Sequence, residues 1–162
     1  MEQFASEGGG EPLAHELHRE AEGNENGNFR SSLILAVAAL ETGVKEYVED
    51  LVPSAAWLAF ESPAPPLTKM LSDYLPTIAS RRHDRIPKPP ARIRRLVQDA
   101  VEARNAAAHR GRPSPWTFDQ QRELLLAVKD CLYVMDYYRG RDWALEHVST
   151  ETLREYGLSR TP

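Results

Sequence analysis

The sequence is poor in several features that define common classes of protein. Cys131 is its only cysteine, so no disulfide can form within the chain, which agrees with a reducing compartment. The longest unbroken apolar run, 33–40, has eight residues, far fewer than the roughly 20 that a membrane-spanning helix requires. Residues 1–11 contain glutamates and a Gly-Gly-Gly run where a secretory signal would be basic and then apolar. We therefore expect a soluble, cytoplasmic protein with no membrane partner.

Motifs that identify several enzyme classes are also absent. The chain has no glycine-rich phosphate-binding loop, no Gly-x-Ser-x-Gly and no His-Glu-x-x-His, so nucleotide hydrolysis, esterase and metalloprotease activities lack support. His15, His18 and Glu22 have a spacing that can hold a metal ion. Because no second group of ligands accompanies them, we interpret the three as surface polar residues and expect neither a metal site nor a cofactor.

The composition and the spacing of apolar residues fit one helical domain. Of the 162 residues, 41% are hydrophobic and 27% charged, which is typical of a globular protein. Apolar residues recur every three or four positions, and no stretch alternates apolar with polar residues for long enough to form a strand. We predict an all-α fold, a helical bundle of about four to five main helices. The expected parts are a flexible N-terminal tail at 1–11, a helical domain at 12–147 and a C-terminal tail at 148–162.

Local signals predict where the main helices begin and end. The apolar stripe of 29–51 predicts a long helix that Pro53 ends. A second long helix is predicted between Pro90 and Gly111. The sequence Thr-Phe-Asp-Gln at 117–120 has the form of a capping box and predicts the start of the last long helix. Shorter helical segments are expected at 12–21, 54–60 and 67–75, and a break at Gly140.

The charge of the chain is unevenly distributed. Its net charge is −4, but residues 81–112 contain ten Lys and Arg against three Asp and Glu. That segment therefore carries +7 and the remainder −11. Clustered cations attract polyanions such as nucleic acids, whereas a block of like charges is often only a solvated surface. Composition alone leaves both interpretations open.

One arginine of this basic segment occupies an unusual position. At 100° per residue, Arg104 lies about 20° from the middle of the apolar stripe of its helix, between Ala100 and Ala107. A guanidinium in a core needs either a carboxylate partner or an opening to a cleft. Glu41 is the natural partner, because it flanks the apolar stripe of the first long helix and is the only charged residue in 31–42. Such an ion pair can also be purely structural.

His109 follows Arg104 by five residues, and together they form a motif. The sequence Arg104-Asn-Ala-Ala-Ala-His109 resembles the R-x4-H signature of HEPN domains, in which an asparagine often follows the arginine. The alanine-rich stretch 36–51, with its Leu-Glu pair, is similar to the early helix of such domains. The resemblance spans about 12–147. It implies a HEPN-like helical bundle that forms a homodimer, in which two R-x4-H motifs face one cleft and cleave RNA without a metal ion.

The resemblance also implies roles for individual residues. His109 would act as general acid or base, and Arg104 would stabilise phosphate charge, as imidazole and guanidinium chemistry allows. Asn105, which lies four residues before His109 and shares its helix face, joins the catalytic set, and Glu41 supports it. RNA would be bound by four cations of the basic segment: Arg94, Arg95, Arg110 and Arg112.

HEPN proteins include toxins and antiviral-defence effectors, so the resemblance also implies an antitoxin or a defence partner protein. In the toxins that are paired with nucleotidyltransferase antitoxins, a modified tyrosine stands two residues after the histidine. Here that residue is Gly111, so regulation through such a tyrosine is not expected.

The two motif residues do not share a face of their helix. Positions five apart differ by about 140° around a regular helix, so Arg104 and His109 point in different directions. They converge only if the helix distorts before Gly111 or if a second protomer completes the site across a two-fold axis. We therefore expect a homodimer. Two alternatives stay open: a non-catalytic HEPN-like module that binds nucleotide or RNA, and a helical dimeric adaptor.

Overall fold

The computed structural model describes residues 10–25, 27–61, 66–82, 84–110 and 116–160, with the backbone alone at 58–60 and 108–110. Within these residues all regular structure is helical, as the sequence predicts. The α-helices there are α1 Leu13–Gly23, α2 Phe29–Leu51, α3 Ala56–Glu61, α4 Leu67–Lys69, α5 Ala91–Arg110, α6 Phe118–Tyr138 and α7 Thr150–Tyr156. Short 3-10 segments occupy Pro53–Ala55, Leu75–Thr77 and Asp142–His147, and a π-helical turn occupies Met70–Tyr74. Of the predicted N-terminal tail, 1–9 lie outside the described residues.

The ends of the long helices follow local sequence signals. The side chain of Asn28 accepts a backbone N–H from the first turn of α2, and Pro53 lies two residues after that helix ends. α6 begins with the predicted capping box, in which the Gln120 N–H donates to Thr117 Oγ1 and the Thr117 N–H donates to Gln120 Oε1 at 2.9 Å. Gly140, with a φ of +100°, breaks the helix where the sequence predicts a break. None of the described helices has the length and apolar character to cross a membrane.

The core is formed by the long helices α2, α5 and α6, with α1 packed along α2 and α6. α2 and α6 approach so closely that a Cβ on Gly43 would lie 2.3 Å from Cδ2 of Leu132. A side chain at this glycine would therefore force Leu132 to move. Most of the large side chains that are almost wholly buried come from these three helices, among them Leu33, Leu40, Val44, Tyr47, Ile93, Val97, Leu124, Val128 and Val134.

The two histidines of α1 are buried, so their interpretation as surface residues is wrong. His15 and His18 have exposed fractions of only 7% and 5%. Nε2 of His15 lies 2.7 Å from Oδ2 of Asp136, and Nε2 of His18 donates to the carbonyl of Leu125 over 2.8 Å. These contacts join α1 to α6 across 121 and 107 residues of sequence. The spacing of the histidines within α1 cannot reveal a partner so far along the chain.

Within the segment predicted as a C-terminal tail, 148–162, the described residues end at Arg160, whose guanidinium donates to the carbonyls of Leu145 and Val148. α7 lies within this segment, and Leu153 is buried. The buried carboxylate of Asp130 accepts hydrogen bonds from the N–H and the hydroxyl of Ser149, at 3.0 and 2.5 Å. It thereby holds the start of α7 against α6. The polar composition of the segment conceals this packing, because the partner that orders it lies in another helix.

We expect the fold to lose stability in mild acid because of His18. Burial lowers the pKa of this imidazole, and the hydrogen bond to the Leu125 carbonyl opposes that effect only in part. The unfolded chain therefore takes up a proton near the ordinary histidine pKa of about 6.5 before the folded chain does. The free energy of unfolding should be highest above that pH and should fall as the pH drops below it.

Urea unfolding at about pH 7.5 and about pH 5.5 measures this loss. His18→Gln removes the titrating group but keeps a side-chain N–H for the Leu125 carbonyl, so the variant should depend less on pH than the parent. Burial also lowers the pKa of His147, so part of the dependence should remain. An identical pH dependence in parent and variant would contradict the role of His18.

Candidate functional site

Arg104 is paired with Glu41 in the same chain, as the sequence predicts. Nη2 of Arg104 donates to Oε1 of Glu41 at 2.7 Å. The side chains are 20% and 13% exposed, so the ion pair lies partly buried between α5 and α2. A charge in such a place is costly unless it is paired. The contact therefore stabilises the position of α5 on α2.

The part of α5 around Arg104 is built mainly of small residues. Ala100, Ala103 and Ala107 are buried, and their short side chains leave room for the stem of the arginine beside the core. Glu41 does not satisfy the whole guanidinium, because Nε of Arg104 is buried and has no hydrogen-bond partner among the described residues. Arg104 thus keeps donor capacity beyond the bond that Glu41 accepts.

Arg30, which the sequence analysis does not single out, holds the last turns of α5. Its guanidinium donates to the carbonyl of Ala107, one of the last four carbonyls of the helix, which have no partner within it. A cation is also favoured there by the helix dipole. The sequence contains a hint of this role. Arg30 lies in the first turn of α2, where the dipole of α2 disfavours a cation, so a partner for Arg30 in another element is to be expected.

His109 follows Ala107 by two residues and belongs to the last turn of α5. Its side chain and that of Arg110 lie outside what the structure describes, as does the whole of Arg112. The described backbone nevertheless places the helix end that carries His109 beside the start of α2, where Arg30 is. The convergence of Arg104 and His109 through a distorted helix end or a second protomer stays a prediction.

Many cations of the basic segment are neutralised within the fold. Five of them form ion pairs with carboxylates of other segments: Arg81 with Asp50 at 2.5 Å, Arg82 with Asp142 at 2.6 Å, Lys88 with Asp73 at 3.4 Å, Arg92 with Glu155 at 3.1 Å and Arg104 with Glu41. The net charge of +7 therefore overstates the attraction that the segment offers to a polyanion. Part of the segment therefore serves the fold, and the attraction of a polyanion by its other cations stays a prediction.

The remaining predicted site residues lie on different faces of α5. Arg94 and Asn105 lie within about 20° of each other around the helix axis, whereas Arg95 lies about 180° from Arg104. Asn105 is exposed, and Nε of half-buried Arg94 donates to the Pro89 carbonyl at 3.0 Å. Arg95 is exposed on the face opposite to Arg104, so the two do not act on the same phosphate within one chain.

Comparisons with protein-family models, with curated proteins and with solved structures find no match to this chain. In the part of the chain that the structure describes, no group of three or more His, Cys, Asp or Glu side chains is arranged to hold a metal ion.

We expect Glu41→Ala to lower the free energy of unfolding by about 3 kcal/mol, because Arg104 would be left partly buried without its carboxylate. Chemical denaturation monitored by circular dichroism measures the change. Asp73→Ala is the matched control: it also removes the carboxylate of an ion pair, but Asp73 and its partner Lys88 are both more than 60% exposed, so the loss should be below about 1 kcal/mol. Equal losses in the two variants would show that burial does not govern the Glu41 pair.

Proposed function

We propose that the protein is a HEPN-type endoribonuclease that cleaves RNA without a metal ion and acts as a homodimer, as a toxin or antiviral-defence effector. The observation that carries this proposal is the setting of the R-x4-H sequence at the end of α5. Its arginine is held by Glu41, and the turn before His109 is held by Arg30. Cleavage of a phosphodiester by proton transfer can use an imidazole and guanidinium groups. The motif contains both residue types, and their convergence on one phosphate is part of the proposal.

In the proposed reaction the 2′-hydroxyl of the RNA attacks the adjacent phosphorus. A base takes the hydroxyl proton, the bond between phosphorus and O5′ breaks, and an acid protonates the departing O5′. The products are a 2′,3′-cyclic phosphate and a 5′-hydroxyl. His109 would carry one of the two proton transfers. Arg104 and Arg30 would offset the negative charge that develops on the phosphate oxygens.

Binding of RNA or a nucleotide without cleavage is the second candidate, and one contact favours it. Arg104 is already engaged by Glu41, and it diverges from His109 by about 140° on a regular helix. Either a second protomer brings the complementary group, or the site binds its ligand without turnover. Cleavage of RNA by the purified protein distinguishes the two candidates.

We expect His109→Ala to abolish RNA cleavage and to leave folding and dimerisation almost unchanged, because a residue in the last helical turn contributes little packing but would carry the proton transfer. End-labelled RNA incubated in excess chelator and separated on gels measures cleavage. Products of the parent should end in 2′,3′-cyclic phosphate. RNA with a blocked 2′-hydroxyl should remain intact.

His147→Gln is the matched control for this experiment. His147 is half-buried and stacks on Tyr133, with ring centroids 4.6 Å apart, and it lies outside α5. At neutral pH the control should cleave RNA as the parent does. Equal cleavage by the parent and His109→Ala would refute the catalytic role of His109. An intact substrate with every variant would leave binding without cleavage as the better candidate.

We expect the protein to be a dimer in solution with the 104–112 region at its interface. Sedimentation equilibrium over about a 100-fold range of concentration measures the mass. Ala106→Arg places a long cation at a half-buried position within the motif, so it should shift the equilibrium toward the monomer. The mass of a single chain for the parent at every concentration would remove the basis for a composite site.

A further inference from the structure

The first half of α6 has an exposed face that no described element covers. Phe118 and Leu126 are 46% and 39% exposed, and they belong to the few large apolar side chains that the described residues leave in solvent. They lie about two helical turns, or roughly 12 Å, apart on the same side of the helix. Large apolar side chains that are exposed together on one face mark a contact surface, whereas single ones need no explanation.

A depression of about 520 Å³ adjoins this face, between α6 and the C-terminal end of α1. Buried Leu125 and exposed Leu126 form its apolar part. Its other lining residues are four carboxylates and two cations: Glu22, Glu25, Asp119, Glu123, Arg122 and Lys129. The hydrogen bond from His18 to the Leu125 carbonyl holds α1 against α6 at this place. The fold therefore forms the depression before any partner binds.

The four carboxylates, which we call the acidic rim, exceed the two cations beside them by two charges. Among the described residues, Glu25 and Asp119 of the rim form no ion pair and no side-chain hydrogen bond. Arg122 does not neutralise either of them, and its guanidinium lies 5.9 Å from the centroid of the Phe118 ring. Two carboxylates of the rim therefore remain open to a cation from outside the chain.

The other two carboxylates of the rim are compensated only weakly. Glu22 lies 3.7 Å from Nδ1 of His18, but burial lowers the pKa of that imidazole, so at neutral pH it carries little charge. Glu123 lies 3.6 Å from Arg92. Arg92 is shared, because it also contacts Glu151 at 3.7 Å and Glu155 at 3.1 Å. The surroundings thus extend the negative charge of the rim and do not cancel it.

The sign of this charge decides which partner fits. Carboxylates repel nucleic acid and attract lysine and arginine. A second copy of this chain fits poorly, because the chain outside 81–112 carries −11 and most described cations of 81–112 already pair with carboxylates of their own fold. A basic segment of another protein matches the charge, and apolar side chains of such a segment match Phe118 and Leu126.

We propose that the exposed face of α6 and the adjoining depression bind a basic segment of another protein, with Lys or Arg side chains at the acidic rim and apolar side chains against Phe118 and Leu126. The lining residues of α6 run from Asp119 to Lys129, roughly 15 Å of helix, which about three turns of a partner helix would match. The interface goes beyond the proposed RNA cleavage and does not depend on it, since none of its residues belongs to α5.

Fluorescence anisotropy with two labelled peptides of about 14 residues tests the proposal. Both carry two leucines on one face of a helix, and one has four lysines where the other has four glutamates. The full chain should bind the lysine peptide with a Kd of about 100 μM or tighter and the glutamate peptide at least about ten-fold more weakly. Equal binding of the two peptides, or no saturable binding of either, would overturn the proposal.

Variants of the chain locate the binding. Glu25→Gln combined with Asp119→Asn should weaken binding of the lysine peptide at least about five-fold, and Leu126→Ser at least about three-fold. The matched controls are Asp99→Asn combined with Glu102→Gln, which changes two exposed carboxylates of α5, and Leu13→Ser, which changes an exposed leucine at the start of α1. The controls should bind as the parent does.

Equal weakening by a variant and its control would refute this location. A shift of Leu126→Ser from dimer to monomer in sedimentation would assign the face to a second copy, and a loss of RNA binding in that variant would assign it to nucleic acid; either result overturns the proposal. Thermal melts check that each variant folds. If one does not, the backbone amide resonances of the parent decide: those of 119–129 should move on addition of the lysine peptide while those of 95–102 do not, and uniform shifts would refute the site.

Discussion

The rest of the structure depends on one buried carboxylate, that of Asp136, which is 2% exposed and lies two residues before the end of α6. Its oxygens contact His15 of α1 and accept from Arg139 and Arg141 of the following turn. A charge removed from water to this extent is tolerated only when it is paired and hydrogen-bonded. The position of α1, the end of α6 and the turn that follows are therefore coupled through a single side chain.

The same network reaches α2, because Arg139 also donates to Asp50 near the C-terminal end of that helix. Nearer the middle of α2, Glu41 pairs with Arg104 of α5. At the N-terminal end of α2, Arg30 donates to the last turns of α5. These three polar contacts, at different positions along α2, join it to α5 and to the turn after α6. α2 therefore supports α5 at one end and the turn after α6 at the other.

Ion pairs within the fold give the basic segment 81–112 a structural role. Many of its cations serve the fold, because they neutralise carboxylates of α2, α7 and the connecting segments. Among the described residues of the segment, Arg85 and Arg95 are exposed and form no ion pair. Affinity for nucleic acid grows with the number of phosphates that are neutralised. In the proposed dimer the cations of two chains would face one RNA, which would increase the number of phosphates that are neutralised.

The sequence by itself determined the helical class and the ends of α2 and α6, because each follows from a short-range rule, either apolar period or capping chemistry. It also predicted the pairing of Glu41 with Arg104, 63 residues apart, because an arginine on an apolar stripe needs a carboxylate and Glu41 is the only charged residue in 31–42. The HEPN assignment and the ribonuclease activity stay predictions, since they rest on a six-residue motif. Only the tertiary structure decided that His15 and His18 are buried, that the segment after residue 148 is folded and that Arg30 caps α5. The long-range contacts among them join residues 77 to 121 positions apart, and such partners are set by how the helices pack, which no local pattern encodes.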